Sequence, residues 1–335
     1  MSREHALMKL LVKSGIEQLP LFEKENFSYY EAYLRGDEDD EDLHRLLQTE
    51  MKLISIHLPS VVNTPSGKKG VNFCDQGETG KASFVKLQEL LNFTRRQQVP
   101  YLVAHLGFYD SLHEDRFTIL KRTAQRFQPY VNQGVRVCLE NVPCWTNICF
   151  ENEPIISEVN HFLHFKKHCP NSGLTFDTDH LAITAVFQQF YAGFKKSYLA
   201  SRDRQIFRRK MEQEMLQATR KDPDFFREVL EQKMAAFLSQ VKPDIVHAVG
   251  SDFCQYQDGE KLPLVGEALP LGFKGMIKGF PVEDRIDHAL WLSRIPKDTW
   301  ITIELLLRPE YDYIHQIRKS IGYLSAAKAK ITGGS

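Results

Sequence analysis

Six apolar runs in this sequence each end on a group able to bind a metal ion or move a proton. KLISIHLP (52–59) carries His57, PYLVAHLG (100–107) carries His105, and VRVCLENV (135–142) carries Glu140 followed by Asn141. GLTFDTDH (173–180) presents Asp177, Asp179 and His180, DIVHAVG (244–250) presents His247, and WITIELLL (300–307) presents Glu304. An ionised side chain among Val, Leu and Ile costs several kcal/mol unless it is paired or metal-bound. Several carboxylates gathered in one place repel one another, and a divalent cation removes that penalty. Mixed carboxylate and imidazole donors suit zinc, manganese, iron or cobalt. Single members have ordinary alternatives. His57 and His105 read alone as satisfied strand-end histidines, and Asp179 as a cap of the helix that begins LAITAVF. Glu140 after VCL and Glu304 between ITI and LLL are the hardest to read as packing. The ordered set points to one shared divalent-metal site.

Such a set needs elements that bring six segment ends together. The length and β-branched content of the runs favour buried parallel strands. Between them lie helical patterns at 81–97, 116–131, 154–168 and 282–295, which implies βαβ units with right-handed crossovers. The expectation is an α/β protein of the (β/α)8 TIM-barrel type, whose C-terminal strand ends share one mouth. IEQLPLF (16–22) reads as the earliest strand, and HALMKLLVKSG before it as a helix capped by Gly15. That leaves seven strands and a barrel lacking its first strand, with a gap between IEQLPLF and WITIELLL. One barrel domain is expected over 1–335, interrupted by a charge-rich helical insertion at about 187–240 that breaks near Asp222-Pro223. Phe187, Phe190, Tyr191, Phe194 and Tyr198 form an aromatic stripe on it. Packing on the barrel wall is the plain reading; a lid or dimer surface is the sharper one. The acidic run GDEDDED (36–42) reads as a solvated loop or a helix start.

Composition narrows the classes. Of 335 residues, 42% are hydrophobic and 26% charged, which is ordinary for a globular protein. Lys plus Arg equals Asp plus Glu at 43 each, so no global field draws in nucleic acid. The six cysteines form no CxxC pair, as expected of a reduced, cytoplasmic compartment. No segment approaches a membrane span in length, and the first fifteen residues hold no long apolar core of a signal peptide.

The order His, His, Glu-Asn, Asp-Thr-x-His, His, Glu resembles the xylose isomerase-like barrel superfamily. That group includes endonuclease IV (AP endonuclease family 2) and the tagatose 3-epimerase type of sugar isomerases and epimerases. The resemblance implies that Glu140, Asp177, His247 and Glu304 bind a divalent ion (Mn, Zn or Co), with Glu140 and Glu304 also carrying the reacting proton. It places His180, His57, His105 and Asn141 on the substrate side, with His57 and His105 available to a second ion. The nuclease also uses an Asp-x-His pair after the strand that carries His247. Here that loop, GSDFCQYQDGEKLPLVGEALPLG, has no histidine. A third zinc would therefore lack two of its three ligands.

The function this implies is a metal-dependent isomerase or epimerase of a small sugar or related hydroxy-carbonyl compound, acting through an enediolate. The alternative is an AP endonuclease-like phosphodiesterase on DNA, favoured by His57, His105 and basic residues such as Lys68, Lys69, Arg95, Arg96 and the stretch 204–210. A third reading is a metal-binding barrel without catalysis. The expected partner is a small molecule, ahead of nucleic acid, with no membrane; a homo-oligomer is compatible with the sequence.

Overall fold

The computed structural model describes residues 8–144, 151–253 and 266–333. Eight parallel strands close into a barrel: β1 (Lys9–Ser14), β2 (Tyr29–Tyr33), β3 (Lys52–His57), β4 (Tyr101–Ala104), β5 (Arg136–Glu140), β6 (Gly173–Asp177), β7 (Ile245–Ala248) and β8 (Trp300–Ile303). Each pairs with its sequence neighbours, and β1 pairs with β8 from Lys9↔Trp300 to Val12↔Ile303. There is no open seam.

Two expectations at the N-terminus are thereby corrected. KLLVKS is a strand and not a helix, and it occupies the first-strand position. IEQLPLF is a 3-10 turn running into a short helix, α1 (Leu19–Lys24). The helix signal was local: the Gln18 side chain accepts from the Gly15 backbone N–H at 3.0 Å, and Pro20 lies in the first helical turn. The unrecognised strand is β2, YYEAY, in which Tyr30, Glu31 and Ala32 are all buried. It lacks the Val/Ile run that marks the other strands, because it buries a carboxylate inside the barrel.

Helices follow every strand: α1, α2 (Asp40–Arg45), α3 (Glu78–Arg96), α4 (Arg116–Val131), α5 (Val159–His168), then α6 (Thr178–Ala200), α7 (Arg204–Lys221) and α8 (Pro223–Gln240) in series, α9 (His288–Leu292) and α10 (Tyr313–Gly333). The acidic run is a helix start, since the Asp39 carboxylate accepts from the Asp42 N–H at 2.9 Å. Asp115 and Asp222 cap α4 and α8 in the same way, and Pro223 opens α8. Small antiparallel hairpins decorate the mouth, formed by Val61–Thr64 with Gly67–Gly70 and by Lys274–Ile277 with Phe280–Glu283.

The long helical stretch divides by role. Phe237 of α8 meets Phe176 of β6 at 5.0 Å between ring centroids, so α8 is the helix that covers the barrel wall. The aromatic stripe of α6 packs on its neighbours: Phe190 stacks on Phe194 and on Phe226 of α8, and Phe194 meets Phe207 of α7. Among the described residues no helix is long and apolar enough to cross a membrane. Cys74, Cys138 and Cys169 are free and buried, and Cys144 is buried; Cys149 and Cys254 lie outside the described residues.

Candidate metal centre

The barrel register sets the site. Asp177 at the end of β6 pairs with His247 on β7, and Thr175 pairs with Glu140 on β5, so three chemistry-bearing side chains stand on adjacent strands. Glu140 is the hub and is 1% exposed. Its Oε2 lies 3.0 Å from His57 Nε2, 3.2 Å from His105 Nε2 and 3.4 Å from His247 Nδ1, while its Oε1 lies 3.1 Å from His180 Nδ1. The His247 Nδ1 atom is also 3.1 Å from Glu304 Oε2 and 3.8 Å from Asp177 Oδ2. Glu140, Asp177, His247, His57, His105, His180 and Glu304 are thus brought to one focus.

Two sets of ligand atoms lie within 4.8 Å of one another: His57, His105 and Glu140, and Glu140, Asp177 and His247. Glu140 belongs to both, as a bridging carboxylate would. The donor chemistry fits a divalent ion. Glu31 Oε1, His105 Nε2, both His247 ring nitrogens and Glu304 Oε2 are buried without a hydrogen bond of good geometry. Such orphaned polar atoms carry a penalty that an ion would relieve.

Other expected residues take positioning roles. Asn141 was expected beside the substrate, but its side chain is fully buried and clamps β5 to β6. It donates to the Asp177 carbonyl at 2.9 Å and accepts from the Asp177 N–H at 2.8 Å. Asp177, and not Asp179, caps α6, accepting from the His180 N–H at 2.7 Å. This cap fixes His180, whose Nδ1 also meets the Asn141 carbonyl at 2.8 Å. Asp179 is buried and accepts from the Ala268 N–H at 3.2 Å, which ties the α6 start to the loop before the Lys274–Ile277 hairpin.

Three residues of the focus escaped the sequence reading. Glu31 on β2 lies 3.0 Å from His247 Nε2 and accepts from the Ser55 hydroxyl at 2.6 Å. Lys13 on β1 lies 2.7 Å from Glu304 Oε2 and 3.9 Å from Glu31 Oε1. Glu267, whose carbonyl accepts from Arg308 at 2.8 Å, belongs to the same electrostatic field. The available signals were a carboxylate inside the aromatic run YYEAY and a lysine late in LLVKSG. Both sit in strands the sequence did not announce.

Electrostatics follow from burial and mutual charge. Burial raises the Asp177 carboxyl to about 6, and the nearby Glu140 and Glu304 charges add to this. Burial also lifts Glu267 to about 7. For Glu140, burial is outweighed by His247 and His105, which hold its pKa well below the carboxylate range. Burial opposes protonation of His180, yet Asp177 and Glu140 push it up to about 10. His247 is likewise held well above the usual imidazole range against burial, by Glu31 and Glu140. His57 is lowered, first by burial and then by the Lys13 charge. Glu304 is held low against burial by Lys13 and His247.

The candidate DNA-contacting residues do not gather on one face. Lys68 and Lys69 lie on the hairpin beside the mouth, with Lys68 paired to Asp37 at 3.1 Å. Arg95 and Arg96 close α3, which returns to the start of β4 at the opposite end of the barrel.

No family model matches the chain, and no curated protein matches it in sequence. Solved structures do match in fold. A D-tagatose 3-epimerase-like protein aligns at 16% identity over 98% of this chain and 99% of its own, with a TM-score of 0.57. An L-ribulose 3-epimerase aligns at 12% identity over 98% and 97%, with a TM-score of 0.56. Endonuclease IV from Thermus thermophilus aligns at 14% identity over 95% and 99%, with a TM-score of 0.50. The chain therefore has the fold of the xylose isomerase-like barrel proteins, the group that the order of its His, Glu and Asp residues resembles.

Proposed function

We propose that this protein is a divalent-metal-dependent isomerase or epimerase of a small sugar or related hydroxy-carbonyl compound. The observation that carries the reading is the buried set Glu140, Asp177 and His247, whose ligand atoms lie within 4.8 Å of one another beneath the mouth. These three side chains would hold the ion. Bound there, a divalent ion supplies Lewis acidity toward adjacent carbonyl and hydroxyl oxygens. Glu304 and Glu140 flank the same space, both ionised; the one that faces the carbon beside the carbonyl would take its proton and, then protonated, return a proton in the second half of the reaction. The Lys13 ion pair keeps Glu304 deprotonated, the form a base needs. His180, fixed by the α6 cap and the Asn141 carbonyl, would direct its Nε2 edge to a substrate oxygen, with His105 beside it at 5.7 Å between ring centroids and His57 next to His105 at 5.0 Å. The two epimerase-type neighbours of matching length agree with this class.

A second reading, hydrolysis of abasic DNA, is favoured by the second ligand set, His57, His105 and Glu140. The balanced charge and the absent Asp-x-His pair stand against it. The deciding experiment is to load metal-stripped protein with Mn2+, Co2+ or Zn2+ and follow it with ketohexoses, ketopentoses and their aldoses, and with an abasic duplex. Proton exchange from solvent deuterium oxide into a sugar, abolished by chelator, supports the isomerase. Strand cleavage without such exchange, falling steeply with salt, would replace it with the nuclease.

A further inference from the structure

His247 is fully buried at the centre of the focus, and its two ring nitrogens meet different neighbours. Nδ1 faces Glu304 Oε2 at 3.1 Å, Glu140 Oε2 at 3.4 Å and Asp177 Oδ2 at 3.8 Å. Nε2 faces Glu31 Oε1 at 3.0 Å. The strands that carry Glu31 and His247, β2 and β7, are not neighbours, so this contact crosses the barrel interior. Glu31 is itself fully buried, and its other oxygen accepts from the Ser55 hydroxyl of β3 at 2.6 Å. The Lys13 ammonium lies farther off, 3.9 Å from Oε1. Glu31 Oε1 and His247 Nε2 have no well-formed hydrogen bond to any other group. A buried carboxylate is costly unless its oxygens are satisfied, and Ser55 serves only one of them. A neutral imidazole carries one N–H and one lone pair, and the partner of one nitrogen decides what the other offers. An ionised carboxylate only accepts, so the nitrogen that faces Glu31 must carry the proton. The lone pair is then left on Nδ1, the edge that the candidate ligand oxygens face.

We propose that Glu31 is a positioning residue of this centre: steadied by Ser55, it takes the Nε2–H of His247 and so aims the Nδ1 lone pair at the divalent ion. The inference rests on the metal site proposed above and adds a supporting layer beneath it. Glu31 acts through His247 in two ways. It fixes the tautomer and the angle of the ring, and its negative charge makes the imidazole a stronger donor to a cation. Supports of this kind are worth about tenfold to a hundredfold in metal affinity.

The test uses the full chain stripped of metal and titrated with ZnCl2 or MnCl2 by calorimetry. A second readout is the nitrogen NMR spectrum of the Zn2+-loaded protein with isotope-labelled histidine. In wild type, His247 should show the metal on Nδ1 and a downfield, slowly exchanging proton on Nε2. Glu31→Gln keeps the size of the side chain and an oxygen for Ser55, and removes the charge. It should bind either ion about tenfold to a hundredfold more weakly, with the Nε2 proton moved upfield or lost to exchange. A side chain that only fills space would leave affinity and spectrum as in wild type. Affinity within about threefold of wild type in Glu31→Gln overturns the proposal. So does a wild-type His247 with the metal on Nε2 or with a freely exchanging Nε2 proton. If Glu31→Gln fails to fold, Ser55→Ala takes its place: a loss of about threefold or more is expected, and unchanged affinity and spectrum overturn the proposal. Wild-type protein that binds neither Zn2+ nor Mn2+ would overturn the metal site itself, and the proposal with it.

Discussion

Glu140→Gln isolates the contribution of the hub. The substitution keeps the size of the side chain and an accepting oxygen, and removes one negative charge from a position within 3.0 to 3.4 Å of four imidazoles. Glu140 is shared by both sets of close ligand atoms, so no other single change removes an anion from each. Taking one partner from a buried, compensated charge set costs about 3–5 kcal/mol. Expressed on metal binding, that is a loss of about a hundredfold to a few thousandfold in affinity. His180 would lose one of the three carboxylates (Asp177, Glu140 and Asp179) that lift its pKa to about 10, and its pKa should fall. The assays are calorimetric titration with Zn2+ or Mn2+, turnover on the responsive sugar, and a thermal melt of chelator-treated protein. The expected result is metal affinity and turnover both down at least about a hundredfold, with the metal-free melt little changed, because the imidazoles can shed their protons. Wild-type affinity and turnover in a folded Glu140→Gln protein would make Glu140 a structural residue and refute the argument.

Proton linkage gives a second outcome. His247 is held protonated by Glu31 and Glu140, so loading the ion near pH 7 should release about one proton or more, measured by calorimetry in buffers of different ionisation enthalpy. Binding without proton release would show that His247 is not a ligand. His161 is a stability reporter far from that chemistry. Burial, and then the Arg116 guanidinium, lower its pKa to about 2. The unfolded chain protonates near the usual 6.5 and the folded chain does not. His161 is therefore without effect above that pH and destabilises as pH falls, by about 2–3 kcal/mol between pH 6.5 and 4.5. Urea midpoints across that range should fall in wild type and fall less in His161→Gln; parallel profiles would refute the linkage. Gly107 sits at φ +94, and an added Cβ would lie 2.6 Å from Asn72 Oδ1 and 2.7 Å from Asn72 Cα. Gly107→Ala should therefore destabilise by about 2–4 kcal/mol in urea unfolding and disturb His105 two residues away.

The sequence by itself determined the strands that carry an apolar run and the residues at their ends. His57, His105, Glu140, Asp177, His247 and Glu304 were legible because a charged or imidazole group late in a Val/Leu/Ile run has few ordinary explanations. Helix α4 was legible to the residue, because its helical period matches the fold; the Asp115 cap that starts it came only with the structure. What only the tertiary structure decided is the N-terminal half of the barrel. Lys9–Ser14 has no strand signal stronger than its helix signal, and it becomes a strand because β8 and β2 offer hydrogen-bonding edges on both sides. YYEAY is a strand whose inward face is polar, so a rule that seeks apolar runs passes over it. Those two strands bring Lys13 and Glu31 to the site, and no spacing in the chain announces that residues 13, 31, 247 and 304 meet. The candidate ligands were written locally, in side chains at strand tips. Which of them meets the Lys13 ammonium depends on barrel closure, which joins residues nearly three hundred positions apart.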